Sequence, residues 1–220
     1  MRRTTLDSLN RITAAVTAVA FLSLQLFAPL ARAEENPLPN WLREENGGWV
    51  PTEQAQRMQK ADQDLLEFSK PRPPELKPID IGPLIVSTVN LLSGELLRRR
   101  VQWTIDCQHN GSMIQADSSQ LRQVLINLIQ NAADAMPSGG ELKIATQTVN
   151  SHLKLTISDT GSGIPPALLP KIFDPFVTTK SDGNGLGLAM VYSILQAHHG
   201  SIRADSQPGR GTTFIVSLPL

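Results

Sequence analysis

Apolar side chains occupy every second position along Leu153-Lys154-Leu155-Thr156-Ile157-Ser158, and a period of two predicts a half-buried strand. A different period governs the stretch after Asp117. At about 100° per residue, Leu121, Val124, Leu125, Leu128, Ala132 and Ala135 fall on one face of a helix. Asp117 followed three residues later by Gln120 resembles a capping box, so the helix is expected from Ser118 to about Met136. Ile126 and Ile129 lie off the apolar face, either packed against neighbouring elements or exposed. The remaining pattern predicts a helix from Ile81 to Arg99 and strands near Val101 to Cys107, Ser112 to Ala116, Glu141 to Val149 and His152 to Ser158. A helix from Leu186 to His198 and strands from Ser201 to Ser206 and Thr212 to Leu218 complete it. The consistent architecture is α/β: a mixed sheet with helices on one face, a two-layer sandwich.

Chemistry-bearing residues punctuate this frame. Asp159 closes the strand, and a carboxylate there can accept from an exocyclic amine such as that of adenine. Gly161 and Gly163 follow; lacking Cβ, they permit a sharp turn and leave room for a flat ring. Gly183, Gly185 and Gly187 then alternate just before a helical run, where free backbone N–H groups make an anion site suited to phosphates. Asn127, Asn131 and Asp134 form a polar stripe beside the helix's apolar face, with amide oxygens suited to a hard cation such as Mg²⁺. Each feature alone also fits an ordinary turn or a solvated helix edge. Their ordered combination points to a nucleotide pocket.

Residues 76–220 resemble the ATP-binding domain of sensor histidine kinases, within the superfamily that includes gyrase, the heat-shock chaperone and mismatch-repair ATPases. Asn127-Leu128-Ile129-Gln130-Asn131-Ala132 resembles the asparagine box, and Asp159 to Pro165 the first glycine box. Phe173-Asp174-Pro175-Phe176 resembles the phenylalanine box, Gly183 to Leu188 the second glycine box, and Gly209-Arg210-Gly211-Thr212-Thr213-Phe214 the last box. The resemblance implies a Bergerat-type fold that binds ATP and Mg²⁺. It places the metal on Asn131 with Asn127 beside it, adenine on Asp159, the ring pocket at Gly161, Gly163 and Ile164, and support from Thr212. Residues 177–187 would be a lid over the phosphates, contributing Thr179, Lys180, Gly183, Gly185, Leu186, Gly187 and Leu188. Lys180 either meets phosphate charge or is solvated; Phe173 and Phe176 either anchor the lid's hinge or are core residues.

Hydrolysing members of the superfamily, as the resemblance implies, carry a glutamate one turn before the metal asparagine, as general base. This chain has Asn127, which takes no proton at neutral pH, so phosphotransfer suits it better than hydrolysis. The family's acceptor histidine sits on the first helix of a preceding hairpin. Here the four histidines, His109, His152, His198 and His199, all lie within the ATP-domain region. His198 and His199 precede Gly200 near a helix C-terminus, where histidine commonly meets free carbonyls. Asp64 to Pro71 resembles the end of the hairpin's second helix in nitrogen-regulator-type kinases, so residues 53–70 are read as a remnant of it and 71–78 as a proline-rich hinge before the domain at 79–220.

Arg2, Arg3 and Arg11 precede an apolar stretch, Ile12 to Ala31, followed by a small-x-small pattern, Ala31-Arg32-Ala33. Residues 1–33 therefore read as a signal peptide or membrane anchor, pointing to export. The family resemblance instead places the ATP domain in the cytoplasm, at the inner membrane of a bacterium. With no second apolar stretch of adequate length, an internally deleted or fused gene product is the favoured reading. Residues 34–52, with Trp41, Trp49 and Gly47-Gly48, read as an irregular linker.

Twenty basic and twenty acidic residues balance to zero, which gives no electrostatic footprint for nucleic acid. A single cysteine, Cys107, excludes an internal disulfide. The expected function is that of a histidine-kinase-type transferase whose acceptor comes from a histidine-bearing hairpin of another kinase chain, with a response regulator as a further partner. A non-catalytic nucleotide-binding remnant and a slow ATPase are the alternatives.

Overall fold

The computed structural model describes residues 42–45, 48–51, 72–109, 111–180 and 183–220. The chain divides into two units, residues 1–55 and 56–220. In the first, β1 (Leu42–Glu45) and β2 (Gly48–Pro51) pair antiparallel, with Leu42 opposite Pro51 and Glu45 opposite Gly48. Within the stretch expected to be irregular, residues 42–45 and 48–51 are thus paired strands. The signal was Asn46-Gly47 between the paired ends, the dipeptide that favours two-residue hairpin loops; strands of four residues are too short to show a period. The apolar segment 12–31, its cleavage pattern and the remnant at 53–70 lie outside the described residues. Among the described residues no helix is long and apolar enough to cross a membrane.

The second unit is built on a five-stranded sheet of β4 (Val101–Gln108), β6 (Gly140–Val149), β7 (His152–Asp159), β8 (Ser201–Gln207) and β9 (Gly211–Pro219). Its order is β4-β6-β7-β9-β8, parallel between β4 and β6 and antiparallel elsewhere. A parallel neighbour requires a crossover, and residues 109–139 supply it with β5 (Met113–Ala116) and α2 (Ser118–Ala135). Two further helices, α1 (Ile81–Arg98) and α3 (Gly187–Ala197), share the α2 side of the sheet.

Alternation decides which sheet face they cover. Leu142 and Ile144 on β6, Leu153, Leu155 and Ile157 on β7, and Phe214, Val216 and Leu218 on β9 are all buried. Between them, Lys143, Lys154, Thr156, Ser158, Thr213 and Ser217 turn to the other face. α2 meets the apolar face with Leu121, Val124, Leu125, Leu128, Ile129 and Ala132. Ile129 is therefore core, and Ile126 is half-buried. At about 1.5–3 kcal/mol per buried branched side chain, this layer is the main source of the unit's stability.

The hinge expected at 71–78 is tied to the domain within its described part. β3 (Lys77–Asp80) pairs antiparallel with β5, and Asp80 caps α1 by accepting the Gly82 N–H at 2.9 Å. The same Asp80 oxygen lies 2.8 Å from His109 Nε2, while His109 Nδ1 lies 2.8 Å from Thr146 Oγ1. The His109 contact and the Gly82 N–H hold the Asp80 carboxyl below its ordinary range.

Asp117 is the second such knot. Its Oδ1 caps α2 by accepting from the N–H groups of Ser119 and Gln120 at 2.9 and 3.2 Å. Its Oδ2 accepts from Arg72 Nη2 at 3.0 Å and from the Glu75 N–H at 3.1 Å. The expected box is not reciprocal. Gln120 donates instead to the Arg72 carbonyl, and the Asp117 N–H donates to His198 Nε2 at 3.0 Å. His198, buried after α3, also contacts the Ile194 carbonyl through Nδ1 at 2.8 Å, so the two ring nitrogens divide into one acceptor and one donor. Burial pushes the Asp117 carboxyl up, but hydrogen bonds from Ser119, Glu75 and Gln120 outweigh it and hold the group far below the usual range.

A depressed carboxylate contributes stability that is present above its unfolded pKa, about 3.9, and is lost as pH falls towards the folded value. Asp117→Ala is expected to cost about 2–4 kcal/mol at neutral pH through the lost cap and charge-assisted bonds. The melting temperature should fall by about 5–15 °C. In urea unfolding the gap between wild type and variant should shrink from about pH 6 to about pH 3; an unchanged gap contradicts the assignment.

Candidate functional site

The sequence of the second unit gathers its polar residues around one cleft of about 630 Å³, within the usual range for small-molecule sites. Asp159 reaches it because β7 ends there and places the carboxylate on the inner face. Its Oδ1 accepts from the Gly161 N–H at 2.8 Å and from the Thr212 N–H at 3.2 Å. Burial raises the Asp159 pKa, and those two N–H groups only partly oppose the rise. The group is therefore poised to gain from a donor that stabilises its ionised form.

Thr212 lies beside it on β9, and its hydroxyl is 2.9 Å from Ser206 Oγ. Ser206 donates to the Gly211 carbonyl and accepts the Ile164 N–H at 2.8 Å, so Thr212 is the donor in the shared pair. These bonds fix Ile164 and Thr212 in the cleft wall. Ile172 and Phe214 add apolar surface nearby.

The two glycines after Asp159 divide in role. Gly163 lines the cleft at φ +70°, where a Cβ would overlap the Gln207 carbonyl. Gly161 does not line it. A Cβ at Gly161 would stand 2.6 Å from the Ala135 carbonyl, so its bareness lets the loop close on the end of α2 rather than leaving room for a ring. The Ser162 N–H then donates to that carbonyl at 3.0 Å.

The polar stripe of α2 forms the opposite chemistry. Asn127, Asn131 and Asp134 all line the cleft. Asn127 Nδ2 is buried without a hydrogen-bond partner, singled out among the described residues in this respect; such a group costs about 1–3 kcal/mol unless a ligand satisfies it. Asn131 Oδ1 lies 2.8 Å from the Lys180 ammonium. A carboxamide oxygen already holding a cation is a donor of the type Mg²⁺ takes. Among the described residues no cluster of three or more His, Cys, Asp or Glu could hold a metal.

α3 begins against this stripe. Its N-cap residue Leu186 offers no side-chain cap, and a Cβ at Gly187 would be 3.3 Å from Asn127 Oδ1. The first N–H groups of a helix have no intrahelical partner and favour an anion. Thr179, Gly183, Gly185 and Leu188 line the same cleft. Leu186 is buried instead, with its N–H on Asn184 Oδ1 at 3.0 Å.

The phenylalanines separate as well. Phe173 is half-buried, packs against the core and sits 6.0 Å from the Tyr192 ring, so it is a core residue. Phe176 is 66% exposed, and its ring lines no part of the cleft. Its backbone N–H donates to the Gly185 carbonyl at 3.0 Å. Gln130, Ser162, Val177 and Thr178, which lie within the boxes and the 177–187 stretch without a role of their own, also line the wall, and Leu168 joins them from outside those segments. Phe214 was legible, because it shares the inner face of β9 with Thr212; Leu168 and Ile172 come from a stretch without a period.

With this geometry in place, comparison with known proteins is specific. Residues 116–220 match the family described as histidine kinase-, DNA gyrase B-, and HSP90-like ATPase. The chain is 41% identical over 162 residues to the signal transduction histidine-protein kinase AtoS of Escherichia coli (strain K12), covering 73% of this chain and 27% of AtoS. It superposes on the catalytic domain of histidine kinase ThkA with a TM-score of 0.61 at 30% identity, covering 66% of this chain and 95% of that domain. Full-length ShkA in complex with AMPPNP gives a TM-score of 0.70 at 27% identity, over 76% of this chain and 36% of ShkA. The chain thus spans about a quarter of AtoS. It belongs to the sensor histidine kinases and carries their ATP-binding catalytic domain.

Proposed function

We propose that this chain binds Mg-ATP in the cleft and presents the γ-phosphate to a histidine supplied by another polypeptide. The observation that carries the reading is the division of one cleft between a buried, proton-attracting carboxylate and an amide oxygen that already holds a cation. Asp159 would accept the adenine amine, while Gly163 and Ile164 flank the ring and Thr212 keeps the carboxylate oriented. Asn131 Oδ1 would hold Mg²⁺, and Asn127 Nδ2 would donate to a phosphate oxygen. The uncapped start of α3, with Gly187 and Leu188, would face the phosphates. Bound Mg²⁺ would supply charge neutralisation and alignment for in-line transfer.

The histidines support an acceptor in trans. His109 and His198 are buried with both ring nitrogens engaged. His152 starts β7, about 23 Å of strand away from Asp159. His199 follows α3 at the end away from the cleft, about 16 Å of helix from Gly187. None lines the cleft. The carboxylates support transfer over hydrolysis: among the described residues the two in the wall are Asp159 and Asp134, and Asp134 is bonded to both Arg99 and Lys180. A response regulator is proposed as the downstream partner, and a cytoplasmic location for the ATP domain follows from the need for ATP. An inert nucleotide-binding module is the second reading, favoured by the same lack of a cleft histidine.

Mixing the chain with γ-labelled ATP and a separate histidine-bearing hairpin should place acid-labile label on the hairpin; binding without transfer favours the inert module, and free phosphate from the chain alone favours an ATPase. Asn131→Ala should abolish Mg-dependent nucleotide binding in calorimetry, and an unchanged affinity refutes the metal assignment.

Asp159 gives a pH test. Its raised folded pKa means that it contributes stability below the unfolded value, about 3.9, which is lost as pH rises through the folded value. Nucleotide binding needs the ionised form, so affinity should fall as pH drops from about 7 to about 4, beginning above the ordinary carboxylate range. Asp159→Asn should weaken binding by about 10–100-fold near neutrality and flatten that profile. A profile as steep as wild type in the variant assigns the titration to another group.

A further inference from the structure

Asp134 touches neither nucleotide nor metal in the reading above, yet both its oxygens hold cations. Oδ1 is 2.8 Å from Arg99 Nη1 and Oδ2 is 2.6 Å from Lys180 Nζ. Arg99 is itself braced by Glu95 at 3.1 Å and by the Ala133 carbonyl at 3.3 Å, so Asp134 is tied to the end of α1. The lysine is the more exposed partner. One ammonium has three N–H donors; Lys180 directs one to Asp134 and another to Asn131 Oδ1 at 2.8 Å.

The lone pairs of Asn131 Oδ1 that receive this N–H are those a divalent ion would take. Two cations within a few ångströms repel each other, so lysine and metal exclude one another there. We propose that Asp134 is a positioning residue: in the nucleotide-free chain it parks the lid lysine on the metal position, and arrival of a Mg-nucleotide exchanges the lysine off Asn131 towards the phosphates. The exchange step rests on the metal reading of Asn131; the parking does not. The lysine and carboxylate side chains are 43% and 31% exposed, and an ion pair of that kind shifts an opening equilibrium by about two- to fivefold. That is enough to hold Lys180 at Asn131 without barring nucleotide.

Amide hydrogen exchange of residues 177–180 and 183–186 in the full, nucleotide-free chain tests the parking. Asp134→Asn should speed lid exchange about two- to fivefold, with exchange of β7 and β9 unchanged as the control for folding. Lys180→Gln, which leaves the Arg99–Asp134 pair in place, should do the same. Lid exchange at the wild-type rate in either variant overturns the proposal. Titration of Mg²⁺ with a non-hydrolysable ATP analogue tests the exchange. Asp134→Asn should bind the metal as well as wild type or up to about fivefold more tightly, whereas a loss of tenfold or more would make Asp134 a metal ligand and overturn the assignment. Failure of the metal reading itself shows separately, in the Asn131→Ala titration, and leaves the nucleotide-free result standing.

Discussion

The cleft depends on how two antiparallel helices are held at both ends. At one end the Asp117 N–H meets His198, joining the start of α2 to the finish of α3. At the other, Gly187 at the start of α3 comes within contact of Asn127 on α2. The two spans, ten residues on α2 and eleven on α3, are about 15 and 16 Å of helix, so the contacts are mutually consistent. Shifting either helix by one turn would remove the asparagine stripe from the uncapped helix start that faces it. The Asp117 carboxylate adds the entering chain to the same point through Arg72 and Glu75. One residue thus sets the relation between the entry segment and both helices, its carboxylate holding the entry segment and the start of α2 and its backbone N–H holding the end of α3 through His198.

A second constraint comes from the sheet. The inner face that buries Leu153, Leu155 and Ile157 must, at the next position of the same parity, place Asp159 inward as well. The strand's period carries a carboxylate into an environment that favours its neutral form. Only two backbone N–H groups compensate, both on one oxygen. The cleft therefore stores an unsatisfied preference at Asp159 and another at Asn127 Nδ2. A ligand with an amine donor and a run of anionic acceptors relieves both.

Much of this was legible in residue order. The period-two run ending at Asp159 and the period of α2 locate the sheet and the stripe, and helix bounds agree to within one residue because caps and apolar faces coincide. Glycine roles were less legible: sequence marks Gly161 as bare but not what approaches it, and the answer, the Ala135 carbonyl, is a tertiary contact. The Lys180 contact with Asn131 and Asp134 spans some fifty positions of sequence, so no local pattern reveals it. His198 was expected near free carbonyls, and it does meet Ile194; its other nitrogen, on Asp117, was invisible because the two residues are 81 apart.

The most direct test of the central claim is a structure of this chain with Mg²⁺ and a non-hydrolysable ATP analogue. The account predicts the adenine amine on the Asp159 carboxylate, the metal on Asn131 Oδ1, and Lys180 moved from Asn131 to the phosphates. A nucleotide bound in the reverse sense, or a metal seated elsewhere while Lys180 still holds Asn131, would contradict it.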